Sequence, residues 1–338
     1  MNRFSIIHSL NQQKIQEIGE RVLSKHIAES EQNVKPWTPA IQQQYARVSL
    51  DDLLFRDEFL NINKNVLYPL VLDTLYEAWE LWIKEELDYV VILASIGSGK
   101  TSLNAIMQWL MWYRLTTQYY DYREEFDMLK DQTRACLVQI SDKEEHAREV
   151  TFNKVAPLFK NTRFNKDYFP VDSKIKSRLV INRNNTLIFP GAGLPASVLG
   201  YDIYGGCLDE MTAMRVVKKS ARGEGSNIYD PSFKIWSETE RRAESRFGRK
   251  KGLIVMISQR RTGNEFIEKF AREAENGIRK RCLVKKYTFW DAVGIDNPKF
   301  FNQPVKYFYF NAKNFRIIDD PEQVKQIDKR KGIIDGNN

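Results

Sequence analysis

The run Ala94-Ser95-Ile96-Gly97-Ser98-Gly99-Lys100-Thr101 constrains the fold of this chain more than any other stretch. It follows Tyr89-Val90-Val91-Ile92-Leu93-Ala94, a continuous apolar run that predicts a short strand buried on both faces. It precedes Leu103, Ile106, Met107, Leu110 and Met111, whose spacing predicts an amphipathic helix over 102–117. Strand, glycine-rich turn and helix in that order make a phosphate-binding loop. Glycine at 97 and 99 lets main-chain N–H groups approach phosphate oxygens, and the positive end of the helix adds to the anion field. The candidate nucleotide-binding residues are therefore Ser95, Ile96, Gly97, Ser98, Gly99, Lys100, Thr101 and Ser102. Lys100 is expected to reach the β- and γ-phosphates of ATP as a catalytic cation, and the Thr101 hydroxyl to ligate Mg2+. Ala94 stands where the motif G-x-x-x-x-G-K-S/T has its first glycine; alanine serves there because a strand-end residue need not take positive φ.

A second apolar run, Ile203-Tyr204-Gly205-Gly206-Cys207-Leu208, ends in Asp209-Glu210. Hydrolysis of ATP needs one acid to hold Mg2+ and another to orient and polarise the attacking water. Asp209 is the candidate metal residue and Glu210 the candidate catalytic residue. An acid adjacent to the Mg2+ acid favours the ATPase branch with an extra strand between the two motif strands, and the D-x-x-G and N-K-x-D runs of small GTPases are absent. Val255-Met256-Ile257 is a further buried strand whose polar end, Ser258-Gln259, is placed to couple nucleotide state to motion.

Other strands are predicted at Cys136–Ile140, at a hairpin of Leu179–Ile181 with Thr186–Phe189, and at Val284–Phe289. Helices are predicted over 142–159, 232–247 and 264–276, with one or two more in Val66–Glu86. Alternating strands and helices imply an α/β fold: a P-loop NTPase of the RecA/ASCE-like kind, its mostly parallel sheet sandwiched by helices. Residues 1–60 read as a helical N-terminal segment (Ile6, Ile7, Leu10, Ile15, Ile18 and Val22 recur at helical spacing), broken at Trp37-Thr38-Pro39. Residues 61–290 read as the P-loop domain and 291–338 as a small, aromatic C-terminal extension. Three scattered cysteines and three histidines exclude a disulfide framework, a zinc site and a multi-histidine metal centre. No apolar run approaches the roughly 18 residues of a membrane span, and no signal peptide is read at the start, so an intracellular protein is expected. The formal charge of +8, from 52 Lys and Arg against 44 Asp and Glu, suits a polyanionic partner.

With the phosphate loop, the acidic pair and Ser258-Gln259 in this order, the chain resembles the ATPase domain of a large terminase subunit, the genome-packaging motor of tailed bacteriophages. The resemblance runs from about Tyr68 to about Trp290 and takes in Ser141–Val150 and Val198-Leu199-Gly200-Tyr201-Asp202. It implies an ATP-driven double-stranded DNA translocase using Mg2+. It also implies a homo-oligomeric ring, a portal protein and a small terminase subunit as partners, and the host cell cytoplasm as its place. Three positions depart from the family pattern. Leu70 follows Tyr68-Pro69 where a glutamine is common, residues 94–101 hold no arginine, and Leu199-Gly200 replaces an Arg-Gly pair. The arginine that would meet transition-state charge therefore has no fixed source; Arg183, Arg215 and Arg222 are the nearest candidates. No run of acids fits the family's nuclease half, so a motor half alone is expected. Basic clusters at 215–222, 241–242, 246–251 and 279–286 are candidate DNA contacts. The alternatives are another nucleic-acid helicase or remodelling ATPase, and a nucleotide-gated DNA-binding structural subunit with weak hydrolysis.

Overall fold

The apolar run at 89–94 forms β1 (Tyr89–Ala94), deep inside a seven-stranded sheet. The computed structural model describes residues 34–128, 133–214, 217–218, 228–259, 265–294, 309–311, 316–318 and 333–335. After β1 come β2 (Ala135–Ser141), β3 (Leu179–Ile181), β4 (Thr186–Ala192), β5 (Asp202–Leu208), a separate short pair β6 (Val217–Lys218) and β7 (Ile228–Tyr229), β8 (Ile254–Ser258) and β9 (Cys282–Tyr287). The sheet order is β3-β4-β2-β5-β8-β1-β9, and only the β3–β4 hairpin pairs antiparallel. The extra strand expected between the two motif strands is β8, which pairs with β1 on one side and β5 on the other.

Helices cover both faces because the central strands are apolar on both. They are α1 (Pro39–Tyr45), α2 (Leu50–Phe55), α3 (Pro69–Ile83), α4 (Lys100–Gln118), α5 (Tyr122–Glu125), α6 (Glu144–His146), α7 (Asn153–Asn161), α8 (Arg163–Tyr168), α9 (Pro231–Phe247), α10 (Phe266–Glu275) and α11 (Phe289–Val293). Val90, Ile92 and Ala94 of β1 join one core with Leu75 of α3, Leu103 and Leu110 of α4 and Val155 of α7. Val91 and Leu93 face the other core, with Ile235 of α9 and Ile267 and Phe270 of α10.

Several expectations need correcting. Trp37-Thr38-Pro39, read as a break, also caps the start of a helix. The Thr38 hydroxyl accepts a bond from the Ile41 N–H at 3.3 Å, and Pro39 takes the first helical position, where its missing N–H costs nothing. Residues 37–60 share their core with the sheet domain: Trp37, Tyr45 and Phe59 pack rings against Phe169, Phe164 and Tyr113 at 4.8, 4.9 and 5.8 Å. That cover explains why α4, read as amphipathic, is buried on all sides from Leu103 to Tyr113. The helix predicted over 142–159 is α6, a π-helical stretch Ala147–Phe152 and α7 in succession. The last strand starts two residues earlier than Val284 and stops at Tyr287. Thr288 then caps α11 in a reciprocal box with Asp291, so Phe289 begins a helix. In the C-terminal extension Tyr309–Asn311, Arg316–Ile318 and Ile333–Asp335 form a small antiparallel sheet. The helices expected near residues 6–22, and Phe300, Phe301, Tyr307 and Phe308, lie outside the described residues. Among the described residues no helix is long and apolar enough to cross a membrane.

The glycine pair of β5 is a packing requirement. A Cβ at Gly205 would sit 2.7 Å from the Leu253 carbonyl oxygen, and one at Gly206 would collide with the Val138 backbone. The strand passes between β2 and β8 with no space for a methyl group, and its register against β2 shifts between Cys136 and Leu137. Gly206→Ala should therefore destabilise the fold by about 1–3 kcal/mol, read by chemical denaturation. Unchanged stability would mean that β5 has room the structure denies it.

Candidate nucleotide site

The loop between β1 and α4 is held by its glycines from both sides. Gly97 and Gly99 have φ of 80° and 87°. A Cβ at Gly99 would lie 2.8 Å from Val71 Cγ2, and one at Gly97 3.3 Å from the Phe289 ring. Ala94 takes no positive φ and continues the β-ladder opposite Tyr287, which is why alanine serves at that position. The buried Ser98 hydroxyl donates to the Ser95 carbonyl at 2.7 Å. Lys100 folds over the same turn, its Nζ donating to the carbonyls of Ala94 and Ser95 at 2.7 and 2.6 Å. Burial pulls the Lys100 pKa down, while the charges of Glu210 and Asp209 push it back up.

The second motif strand delivers its acids to the same end. Asp209 leaves β5 almost fully buried; its Oδ2 accepts from the Thr151 hydroxyl at 3.1 Å and its Oδ1 from the Glu210 N–H at 2.9 Å. Burial drives its carboxyl pKa up, and those two bonds with the charges of His146 and Lys100 pull against that rise. Glu210 turns the chain sharply at φ 51°, ψ 39°, a left-handed conformation that costs a non-glycine residue about 1–3 kcal/mol. The turn that follows is tied to β8: Ser258 Oγ accepts from the Thr212 N–H at 3.0 Å and lies 2.7 Å from its hydroxyl. The Thr212 hydroxyl also donates to the Gln259 carbonyl at 3.2 Å.

These groups converge on one cleft of about 340 Å³. Of the sequence candidates, Ile96 through Ser102, Asp209, Glu210 and Gln259 line it. Ser95 and Ser258 do not: Ser95 serves through its carbonyl, and Ser258 acts behind the acidic turn through Thr212. Tyr68 and Val71 close the end beside the glycines, and His146, Val150 and Lys154 form another part of its wall. Sequence reasoning assigned no role to Thr151, His146, Lys154 or Thr212. The spacing Asp142/His146, which carries a 2.9 Å contact, was the one signal available for that wall.

The donor set fits a nucleotide with a hard divalent cation. The glycine cradle excludes side chains, Ser95 Oγ is buried without a partner among the described residues, and the Thr101 hydroxyl and Asp209 carboxylate are the oxygen ligands Mg2+ takes. Other candidates fall elsewhere. Arg183 lies in the β3–β4 turn and donates to the carbonyls of Lys35 and Tyr168 at 2.6 and 3.1 Å, beside a different cleft. Arg215 and Arg222 lie outside the described residues. Among the described residues, the basic clusters from residue 241 onward are largely ion-paired within the chain, as in Arg241–Glu238, Arg246–Asp202, Lys251–Glu240, Arg281–Asp88 and Lys286–Glu275.

The bond from Thr151 yields a stability prediction. Thr151→Val keeps the shape but removes the hydroxyl that donates to Asp209 Oδ2, leaving a buried carboxylate less solvated. A loss of about 1–3 kcal/mol is expected in denaturant unfolding, with Thr151→Ser close to the original protein. Equal stability of all three would show that the contact carries nothing.

A family model described as "Uncharacterized protein MJ0330, N-terminal P-loop domain" matches residues 55–315. No curated protein matches the chain. Among solved structures, the chain is similar to the large terminase of a thermophilic bacteriophage, at 12% identity and a TM-score of 0.44, over 70% of this chain and 48% of that one. For the HK97 bacteriophage large terminase the figures are 14%, 0.44, 65% and 39%. For the ATPase domain of the Thermus phage P74-26 large terminase they are 12%, 0.40, 63% and 83%. The chain thus spans half or less of the length of the first two of these proteins. The fold assignment rests on the sheet order and the family match, which includes both motif strands and most of the sequence. The chain belongs to the family of the N-terminal P-loop domain of uncharacterized protein MJ0330.

Proposed function

We propose that this P-loop protein hydrolyses Mg-ATP and uses the energy to move double-stranded DNA, as the motor of a large terminase does. The observation that carries the hydrolytic part is the meeting of Lys100, Thr101, Asp209 and Glu210 in one cleft. Lys100 and the loop N–H groups hold the β- and γ-phosphates, and Thr101 with Asp209 would hold Mg2+, which neutralises phosphate charge when bound. Glu210 orients the attacking water and draws its proton. Thr212 and Ser258 pass the resulting change to β8. The packaging part is supported by the sequence resemblance: the order and spacing of the phosphate loop, the Asp-Glu pair and the Ser-Gln strand end. In this reading the partners are duplex DNA, a portal protein, a small terminase subunit and further copies of the chain in a ring, in the host cell cytoplasm.

Two measurements test the reading. Lys100→Ala should abolish tight ATP binding, whereas Glu210→Gln should keep it and lower turnover about 10²–10⁴-fold, followed by equilibrium binding and phosphate release. Unchanged turnover in Glu210→Gln removes that residue from the chemistry. Duplex DNA should stimulate ATP turnover at low salt and lose that effect at high salt, because non-specific DNA contacts are counterion-dependent. An ATPase indifferent to DNA at every salt concentration would contradict the motor.

A further inference from the structure

Part of the cleft wall is built by irregular helix beside the acidic strand end. His146 just before the π-helical stretch, Val150 within it and Lys154 just after it stand four residues apart, and all three line the cleft. π-Helical turns recur at functional sites because they redirect side chains that a regular helix would point elsewhere. Here the stretch aims Thr151 at Asp209 while its neighbours face the nucleotide side. His146 is engaged, its Nδ1 lying 2.9 Å from Asp142 Oδ1 and 3.1 Å from Ser141 Oγ. The Lys154 side chain lines the cleft from an exposed position and makes no hydrogen bond or ion pair among the described residues.

The charge arrangement calls for such a group. The cleft carries two carboxylates, Asp209 and Glu210, and Mg-ATP adds net negative charge to it. Against them Lys100 is the phosphate-loop cation, and no arginine lines the cleft among the described residues. In a partly desolvated site, a second cation facing the transferred phosphoryl group stabilises the charge that builds on its oxygens.

We propose that Lys154 is a further catalytic residue, a second cation of the same cleft that meets the γ-phosphoryl oxygens in the transition state. The proposal rests on the ATPase reading. In the step it serves, the water oxygen bonds to the γ-phosphorus, and the bond from that phosphorus to the bridging oxygen breaks. Its electron pair leaves with ADP, and the water proton passes to Glu210 and on to the released phosphate. Lys154 exchanges no proton; its ammonium group faces the oxygens while their charge grows.

The test compares the full chain with Lys154→Met and Lys154→Arg in three measurements: steady-state ATP turnover, Mg-ADP affinity, and affinity for Mg-ADP with aluminium fluoride. Lys154→Met should lower turnover and affinity for the fluoride complex by about 10²–10³-fold while leaving Mg-ADP affinity within about threefold, and Lys154→Arg should recover part of both losses. Full turnover by Lys154→Met, or an equal loss of Mg-ADP and fluoride-complex binding, would overturn the proposal. An unmodified chain that neither turns over ATP nor binds the fluoride complex would overturn the ATPase reading, and the proposal with it.

Discussion

Parallel pairing of β8 with both β1 and β5 is the constraint from which the site follows. The register sets Leu93 beside Ser258 and Leu208 beside Met256, so three strands bring their carboxyl ends to one edge of the sheet. In open α/β sheets that edge is where ligands bind, since the loops leaving it are free to differ while the strands stay packed. The phosphate loop, the acidic pair and the Ser-Gln end thereby become neighbours although they lie far apart in sequence. The close approach that Gly205 and Gly206 allow is what lets β5 occupy its place between β2 and β8.

Once assembled, the site is electrostatically tense. Burial works against the charge of Lys100 and against the charge of Asp209, and each is partly relieved by the other and by nearby polar bonds. Glu210 adds a strained backbone conformation next to them. Such costs persist only where the surrounding packing holds the chain in place, here the cores on both faces of the sheet. A phosphate group and a divalent cation would supply charges that each of these side chains lacks, so ligand binding and local stability are linked.

Much of this was legible in the sequence, for local reasons. β1 coincides with its apolar run, the β3–β4 hairpin with its Asn-rich turn, and the phosphate loop with its motif, because each signal lies within a few neighbouring residues. What was not legible depends on distant partners. Thr151 meets Asp209 across 58 positions, and nothing around either residue announces it. The aromatic cover that residues 37–60 place on α4 turned an amphipathic helix into one buried on all sides, and Arg281, read as a candidate DNA contact, also pairs with Asp88 far away in sequence. The π-helical stretch has no recognisable pattern, so the place of Lys154 in the cleft emerged only from the fold.

The central claim is that the phosphate loop and the acidic strand end serve one nucleotide and one metal ion. It is tested most directly by the Mg2+ dependence of ATP binding, titrated in the original protein and in Asp209→Asn. The account predicts that Mg2+ tightens ATP binding to the original protein and that this gain disappears in Asp209→Asn, with metal-free ATP still bound through Lys100. An undiminished Mg2+ effect in Asp209→Asn would contradict it, since the acid that β5 brings to the cleft would then have no part in holding the metal.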